Sequence, residues 1–358
     1  MWNRVLNAAP AIAKAAGLLC AVLAALGLLL LQAYALALPR LHGEVAMPPT
    51  FGNFESVRAL LHDDPQADSV SFAVLGDSRG SATFDQLMYV LEKEPLDFLV
   101  LLGDIVPDGT EAAHLHFRHE WVRRFRVPFP VFYVVGNHEV DAAEFPVQRF
   151  EELYGPSNFF FGYHRCLFIV LRNLQKPIGP ATTQESLDFF EKVLAEQRSR
   201  YDRAFVLMHI PPAISRDFSA RRFEGMDRFV ALCDKHRVNY VIAGDFHGYA
   251  RVRLRDTDYL VTGGAGARLR AKLFGKFHHA IVLNVSRESV SERILYVEPK
   301  TDLIAEAQWY ATAHVHPWLV RRWYLAVPLD LLIAAVAFFA LRALWRMRRA
   351  CSRTPLRT

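Results

Sequence analysis

The chain lacks several features that would fix a function at a glance. Its four cysteines, Cys20, Cys166, Cys233 and Cys351, are scattered, and no two have the spacing of metal ligands. A cysteine-based metal site is therefore excluded, and Cys166 and Cys233 read as small buried side chains rather than a disulfide. No Gly-Lys-Ser/Thr stretch is present, which excludes a P-loop. Internal repeats and low-complexity segments are also missing. Charge is modest: 22% of the 358 residues are charged against 52% hydrophobic, a globular balance rather than a disordered one. The formal net charge is +5. Much of that excess lies near the carboxyl terminus while the middle is close to neutral, so no nucleic-acid partner is expected.

What the sequence does have is two long apolar runs. Ala15–Leu38 holds Gln32 as its one strongly polar residue. At about 1.5 Å per residue it exceeds the roughly 30 Å hydrocarbon core of a bilayer. Its apolar core is longer than that of a signal peptide, so it reads as an uncleaved anchor despite Ala-x-Ala options near Ala33–Ala37. Trp323–Leu341 is shorter and contains Asp330, a residue tolerable only toward the interface. Trp318, Trp323 and Trp345 sit where an aromatic belt would place them.

Arg4 and Lys14 precede the first run, and Arg342, Arg346, Arg348, Arg349, Arg353 and Arg357 follow the second. Arg40, Arg321 and Arg322 lie at the opposite ends. That bias puts both termini in the cytoplasm and the intervening domain outside it, in the periplasm of a bacterial host. The basic tail also suits an anionic-lipid patch, but a topological role is the simpler account. The expected organisation is a cytoplasmic start and first span over 1–40, a linker over 41–68 and a domain over 69–298. A second linker follows over 299–320, then a second span over 321–345 and a basic tail over 346–358.

Within the domain, apolar runs of strand length alternate with helical patterns, the signature of an α/β fold. Five runs end alike: SFAVLGD, FLVLLGD, FYVVGNHE, FVLMHIPP and YVIAGDFHG. Each is followed at once by Asp, Asn or His beside Gly or Pro. In α/β sheets ligands bind outside the carboxyl ends of strands. Asp77, Asp104, Asn137, His138, His209, Asp245 and His247 should therefore converge on one rim. Leu115–Arg126 resembles a nucleic-acid patch, but Leu115, Trp121, Val122 and Phe125 fit one face of a packed helix. His114, His116 and His119 then fall on its surface. Tyr259–Leu269 reads as a strand into a glycine loop, either lining the site or making a turn between sheets. Phe277–Val297 reads as a hairpin closing a second sheet.

The order of GDSRG, GDIVPDG, GNHE, HIPP and GDFHG resembles the calcineurin-like metallophosphoesterase superfamily over roughly Ser71 to Val297. The resemblance implies a two-sheet β-sandwich flanked by helices, here with one transmembrane helix at each end. It also implies two divalent metal ions (Mn, Fe, Mg or Zn) on one edge. By position, Asp104 would bridge them, Asp77 and His247 would hold the first, and Asn137, His209 and Asp245 the second. His138 matches the family's catalytic histidine, which contacts phosphate or protonates the leaving group; Asp108 is a candidate to orient it.

Two positions depart from the family pattern. Arg79 replaces a histidine ligand and, having no lone pair, suits substrate phosphate instead; a surface salt bridge is its bland alternative. Asp245 replaces another histidine and favours harder ions. The implied activity is hydrolysis of a phosphate ester, mono- or diester or pyrophosphate, on a small or lipid-linked substrate at the membrane. The competing reading is an inactive phospholigand-binding or sensor domain signalling through its two spans.

Overall fold

The computed structural model describes residues 2–62, 69–174, 183–213, 224–270, 277–299 and 301–352. Contacts divide the chain into two compact units: His42–Trp309, and a helical unit made of residues up to Leu41 and from Tyr310 onward.

Among the described residues of the larger unit are strands β1 (Ser69–Leu75), β2 (Phe98–Leu101), β3 (Val131–Tyr133), β4 (Phe159–Tyr163), β5 (Cys166–Leu171) and β6 (Arg203–Met208). Strands β7 (Tyr240–Ala243), β8 (Ala250–Leu254), β9 (Thr257–Val261), β10 (His279–Ser286) and β11 (Val290–Tyr296) complete the set. They form two sheets, ordered β11-β10-β1-β2-β3 and β4-β5-β6-β7-β9-β8. The inner strands β1-β2-β3 and β5-β6-β7-β9 are parallel, and antiparallel strands flank them. Parallel strands are covered on both faces, which is why FLVL of β2 and CLFIVL of β5 are apolar throughout and wholly buried.

Phenylalanines seal the two sheets together. Phe72 and Phe98 of the first meet Phe168 of the second edge-to-face at 5.3 and 5.0 Å. Helices Ala82–Leu91 and Glu111–Arg124 cover the outer face of the first sheet through Leu87, Phe117 and Trp121. Helices Thr183–Gln197 and Met226–Lys235 cover the second through Phe190 and Phe229. The fold is thus the expected α/β sandwich flanked by helices. Cys166 and Cys233 are buried free thiols.

Several local readings are corrected. Residues 41–68 do not begin as a free linker: Phe51 is buried and forms a parallel bridge with Val131 at the edge of β3. Asn53 fixes that edge, accepting from Tyr133 N at 2.9 Å and donating to its carbonyl at 2.8 Å. The stretch read as a second linker carries helix Leu303–Tyr310, a π-turn at Ala311–Val315 and helix His316–Arg321. The hairpin at 277–297 extends the first sheet, because β10 pairs with β1.

On helix Glu111–Arg124, Val122 is exposed while His114 and His116 are buried, so the buried face is set by Ala113, Phe117 and Trp121 together with polar residues. His114 fits there because both ring nitrogens are bonded. Nε2 donates to the Glu139 carbonyl at 2.8 Å, Nδ1 accepts from the Tyr154 hydroxyl at 3.0 Å, and the ring stacks on Phe145 at 3.8 Å.

In the helical unit, Trp2–His42 and Trp323–Ser352 are continuous helices. Ala35 of the first clusters with Ala311, Leu319 and Ala326, small residues that let helices approach closely. Pro10–Leu41 and Trp323–Arg349, of 32 and 27 residues, are long and apolar enough to cross a bilayer. Their apolar side chains are largely exposed, Leu30 and Phe339 at 69% and 64%, whereas Gln32 Oε1 and Asp330 Oδ1 are shielded and accept no hydrogen bond among the described residues.

Burial, with Arg118 and Arg149 nearby, pushes the His114 pKa down to about 3. An unfolded histidine titrates near 6.5, so between those values only the unfolded chain takes up the proton. Stability from this group is complete above about pH 6.5 and is lost as pH falls. Unfolding by denaturant, measured from about pH 6 to pH 4, should lose stability less steeply in His114→Gln, by up to about 1.4 kcal/mol per pH unit. An unchanged slope would contradict a neutral buried His114.

Candidate metal centre

Each predicted site residue sits in the turn that leaves a strand. Asp77 follows β1, Asp104 follows β2, Asn137 and His138 follow β3, His209 follows β6, and Asp245 and His247 follow β7. The turns are strained. Asp77, Arg79, Asp104, Asp245 and His247 adopt φ of 61°, 47°, 53°, 59° and 53°. Left-handed φ at a non-glycine residue costs of order 1–3 kcal/mol and persists only where surrounding structure imposes it. Here backbone bonds impose it: Asp77 N donates to Gly103 O at 3.0 Å and Arg79 N to Asp104 O at 3.0 Å. The glycine loop after β9 lines the site, since a Cβ at Gly263 would lie 2.7 Å from Asp77 Oδ2.

The side chains fall into two overlapping groups. Asp77, Asp104 and His247 bring one ligand atom each within 4.8 Å of one another, and so do Asp104, His209 and Asp245. All five are buried, and Asp104 belongs to both groups. His247 Nε2 stands 3.3 Å from Asp77 Oδ1, and His209 Nε2 stands 3.2 Å from Asp104 Oδ1. Asn137 Oδ1 joins the second group at 3.3 Å from His209 Nε2. Each imidazole is aimed from behind: His209 Nδ1 donates to Leu102 O at 2.7 Å, and His247 Nδ1 to Arg268 O at 2.9 Å. A carbonyl can only accept, so both Nδ1 atoms carry hydrogen and both Nε2 atoms face the carboxylates.

The electrostatics of this cluster call for positive charge. Burial works against a charged His209, but Asp104, Asp77 and Asp245 outweigh it and hold its pKa well above the ordinary value. Burial likewise opposes ionisation of Asp104, while His209 and His138 hold its carboxyl below the usual range. Asp77 Oδ1 is buried and accepts no hydrogen bond among the described residues. Carboxylate oxygens, imidazole nitrogens and one amide oxygen form a hard-to-borderline donor set. That set suits two divalent ions such as Mn²⁺, Fe²⁺, Mg²⁺ or Zn²⁺ sharing Asp104.

His138 belongs to no ligand group. Its backbone N donates to Asp104 Oδ1 at 2.9 Å, and its ring is about one quarter exposed. The group orienting the ring is not Asp108 but the Pro107 carbonyl, which accepts from Nδ1 at 2.7 Å. Asp108 instead accepts from Gly109 N. Arg79 lies at the rim, Nη2 3.4 Å from Asp104 Oδ2, with 29% of its side chain exposed. It is tied to the shared carboxylate rather than to a distant surface acid.

Sequence reasoning assigned no role to Glu139. Its carboxylate accepts from the backbone N of Asp104, Ile105 and Gly136 at 2.7 Å, from Val106 N at 3.3 Å, and from the Tyr133 hydroxyl at 2.9 Å. Burial and nearby Asp104 push its pKa up, to about 7. Four of these five partners are backbone N–H groups, which can accept nothing from a carboxyl proton, and they favour the carboxylate. Glu139 thus clamps the turn after β2 to the turn after β3. The one available signal was an acid set between Asn-His and Val140 straight after an apolar strand.

Two parallel-centred sheets with a shared carboxylate at their strand ends define the metallophosphoesterase class of fold. Residues 70–249 match the family model described as calcineurin-like phosphoesterase, and the chain belongs to that family. A purple acid phosphatase from yellow lupin (Lupinus luteus) seeds has a similar fold, with TM-score 0.50 and 18% identity over 64% of this chain and 52% of its own. The chain therefore spans about half the length of the lupin protein. A dimetal phosphatase from Danio rerio aligns over 65% of this chain and all of its own, with TM-score 0.52 and 12% identity. At these identities the likeness is one of fold. No curated protein matches the sequence.

Removing the clamp should loosen the metal site without touching a ligand. Glu139→Ala is expected to weaken Mn²⁺ affinity about 10–100-fold, read by competition with a chelating dye. Unchanged affinity in a variant with native far-UV circular dichroism would contradict the role given to Glu139.

Proposed function

We propose that the chain is a membrane-anchored hydrolase of phosphate esters whose larger unit takes two divalent metal ions. The observation that carries this reading is the sharing of Asp104 between two buried ligand groups. Asp77, Asp104 and His247 would hold one ion, and Asp104, Asn137, His209 and Asp245 the other. When bound, such a pair supplies Lewis-acid activation of the phosphoryl group and of water.

The chain's own residues supply the rest. The Pro107 carbonyl fixes the Nδ1 proton of His138, so a second proton, when carried on Nε2, is the one passed to the leaving oxygen as a water oxygen bonds to phosphorus and the ester P–O bond breaks. Arg79, partly exposed beside Asp104, grips non-bridging phosphate oxygens through its guanidinium fork.

The two long apolar helices support anchoring by two spans. The basic residues at their outer ends support cytoplasmic termini, with the hydrolase unit periplasmic or otherwise outside the cytoplasm. The substrate class is a phosphorylated small molecule or a lipid-linked phosphate.

The test is a panel of phosphate mono- and diesters offered to purified full-length protein with Mn²⁺. Wild type should turn over at least one member, His138→Ala should lose about 10²–10⁴-fold in kcat, and Asp104→Asn should be inactive. Arg79→Gln should mainly raise KM. Tight phosphate binding with no turnover would support the sensor reading instead. Labelling of single cysteines placed in the larger unit, in intact cells, reports its side of the membrane.

A further inference from the structure

Within the helical unit, the N-terminal and C-terminal helices border an open groove of about 390 Å³ lined by Lys14, Phe339, Arg342, Ala343, Arg346 and Met347. The five residues from the C-terminal helix are spaced three, one, three and one apart, which places them on a single helical face. Lys14 faces them from the other helix. None of the three cations has an acidic partner among the described residues, and none can find one nearby in sequence. No Asp or Glu occurs before Glu44 or after Asp330. Asp330 lies about 18 Å from Arg342 along the helix axis. Arg349, by contrast, is occupied above the Trp345 ring at 3.7 Å.

Three exposed cations with no acidic partner among the described residues line one groove and so present a binding surface for an anion from outside the chain. The groove sits where Ala15–Leu38 and Trp323–Leu341 end, and Phe339 continues its lining into the apolar stretch. A ligand that fits is therefore anionic at one end and apolar at the other. Charge placed only to set membrane orientation has no need to converge on a groove.

We infer that this groove binds the phosphate headgroup of an anionic glycerophospholipid, with Lys14, Arg342 and Arg346 around the phosphate and an acyl chain passing Phe339. The inference rests on the two-span reading of the helices, and it places the lipid at the end of the spans that carries both chain termini.

Native mass spectrometry of the full chain in detergent tests it, with phosphatidylglycerol and phosphatidylcholine as probes. Wild type should retain one phosphatidylglycerol with about tenfold or greater preference over phosphatidylcholine. The combined Lys14→Gln, Arg342→Gln and Arg346→Gln variant should lose that preference. Combined Arg40→Gln, Arg321→Gln and Arg322→Gln, which removes the same charge at the other end of the spans, should keep it. Equal retention of both lipids, equal loss in both variants, or displacement by millimolar inorganic phosphate would overturn the inference. Membrane flotation separates the two claims. Wild type that fails to float overturns the spans and the lipid site together, whereas floating protein with no lipid preference overturns the lipid site alone.

Discussion

The burial of carboxylates at one rim is the constraint on which the larger unit depends. Asp77, Asp104, Asp245 and Glu139 are all buried within a few ångströms of one another's partners. Taking a carboxylate out of water costs several kcal/mol unless donors or cations replace the lost hydration. The chain meets this need largely with backbone donors: Asp245 N for Asp77, His138 N for Asp104, and four backbone N–H groups, joined by the Tyr133 hydroxyl, for Glu139. Those donors exist in the right places only because parallel strands end together and their turns take left-handed φ. Phenylalanines between the sheets and helices on both outer faces hold the strands in register. What remains unbalanced is charge, and divalent ions at the shared Asp104 would balance it.

Much of this was legible in the sequence because the site residues directly follow the strands. An apolar run that stops at Gly-Asp or Gly-Asn-His announces both a strand and its functional end, so the fold class and the ligand candidates emerged together. What was hidden depends on contacts distant in sequence or on satisfied polar burial. Glu139 acts on backbone 33 to 35 residues upstream, which no local pattern records. His114 and His116 look like surface residues in a charged helix. The structure buries His114 because its two ring nitrogens find the Glu139 carbonyl and the Tyr154 hydroxyl. Phe51 lies in a Pro- and Asp-rich stretch with no period, yet its single bridge to Val131 makes that stretch part of the sheet edge.

The two departures from the family pattern fall on different groups. Asp245 joins Asp104 and His209, adding negative charge to one ion position, while Arg79 places a fixed positive charge against the shared carboxylate. The turn that carries Arg79 is braced from outside the strands. A Cβ at Gly80 would collide with the Trp309 ring, and Trp309 in turn meets His116 edge-to-face at 4.5 Å. The helix Leu303–Tyr310 thus supports the Asp77–Gly80 turn through Trp309.

Metal stoichiometry tests the central claim most directly. After reconstitution with Mn²⁺ and removal of free ion, elemental analysis of full-length protein should give two ions per chain in wild type and no more than one in Asp104→Asn. Wild type that retains no metal, or Asp104→Asn that retains two ions, would contradict a centre built on the shared carboxylate of Asp104.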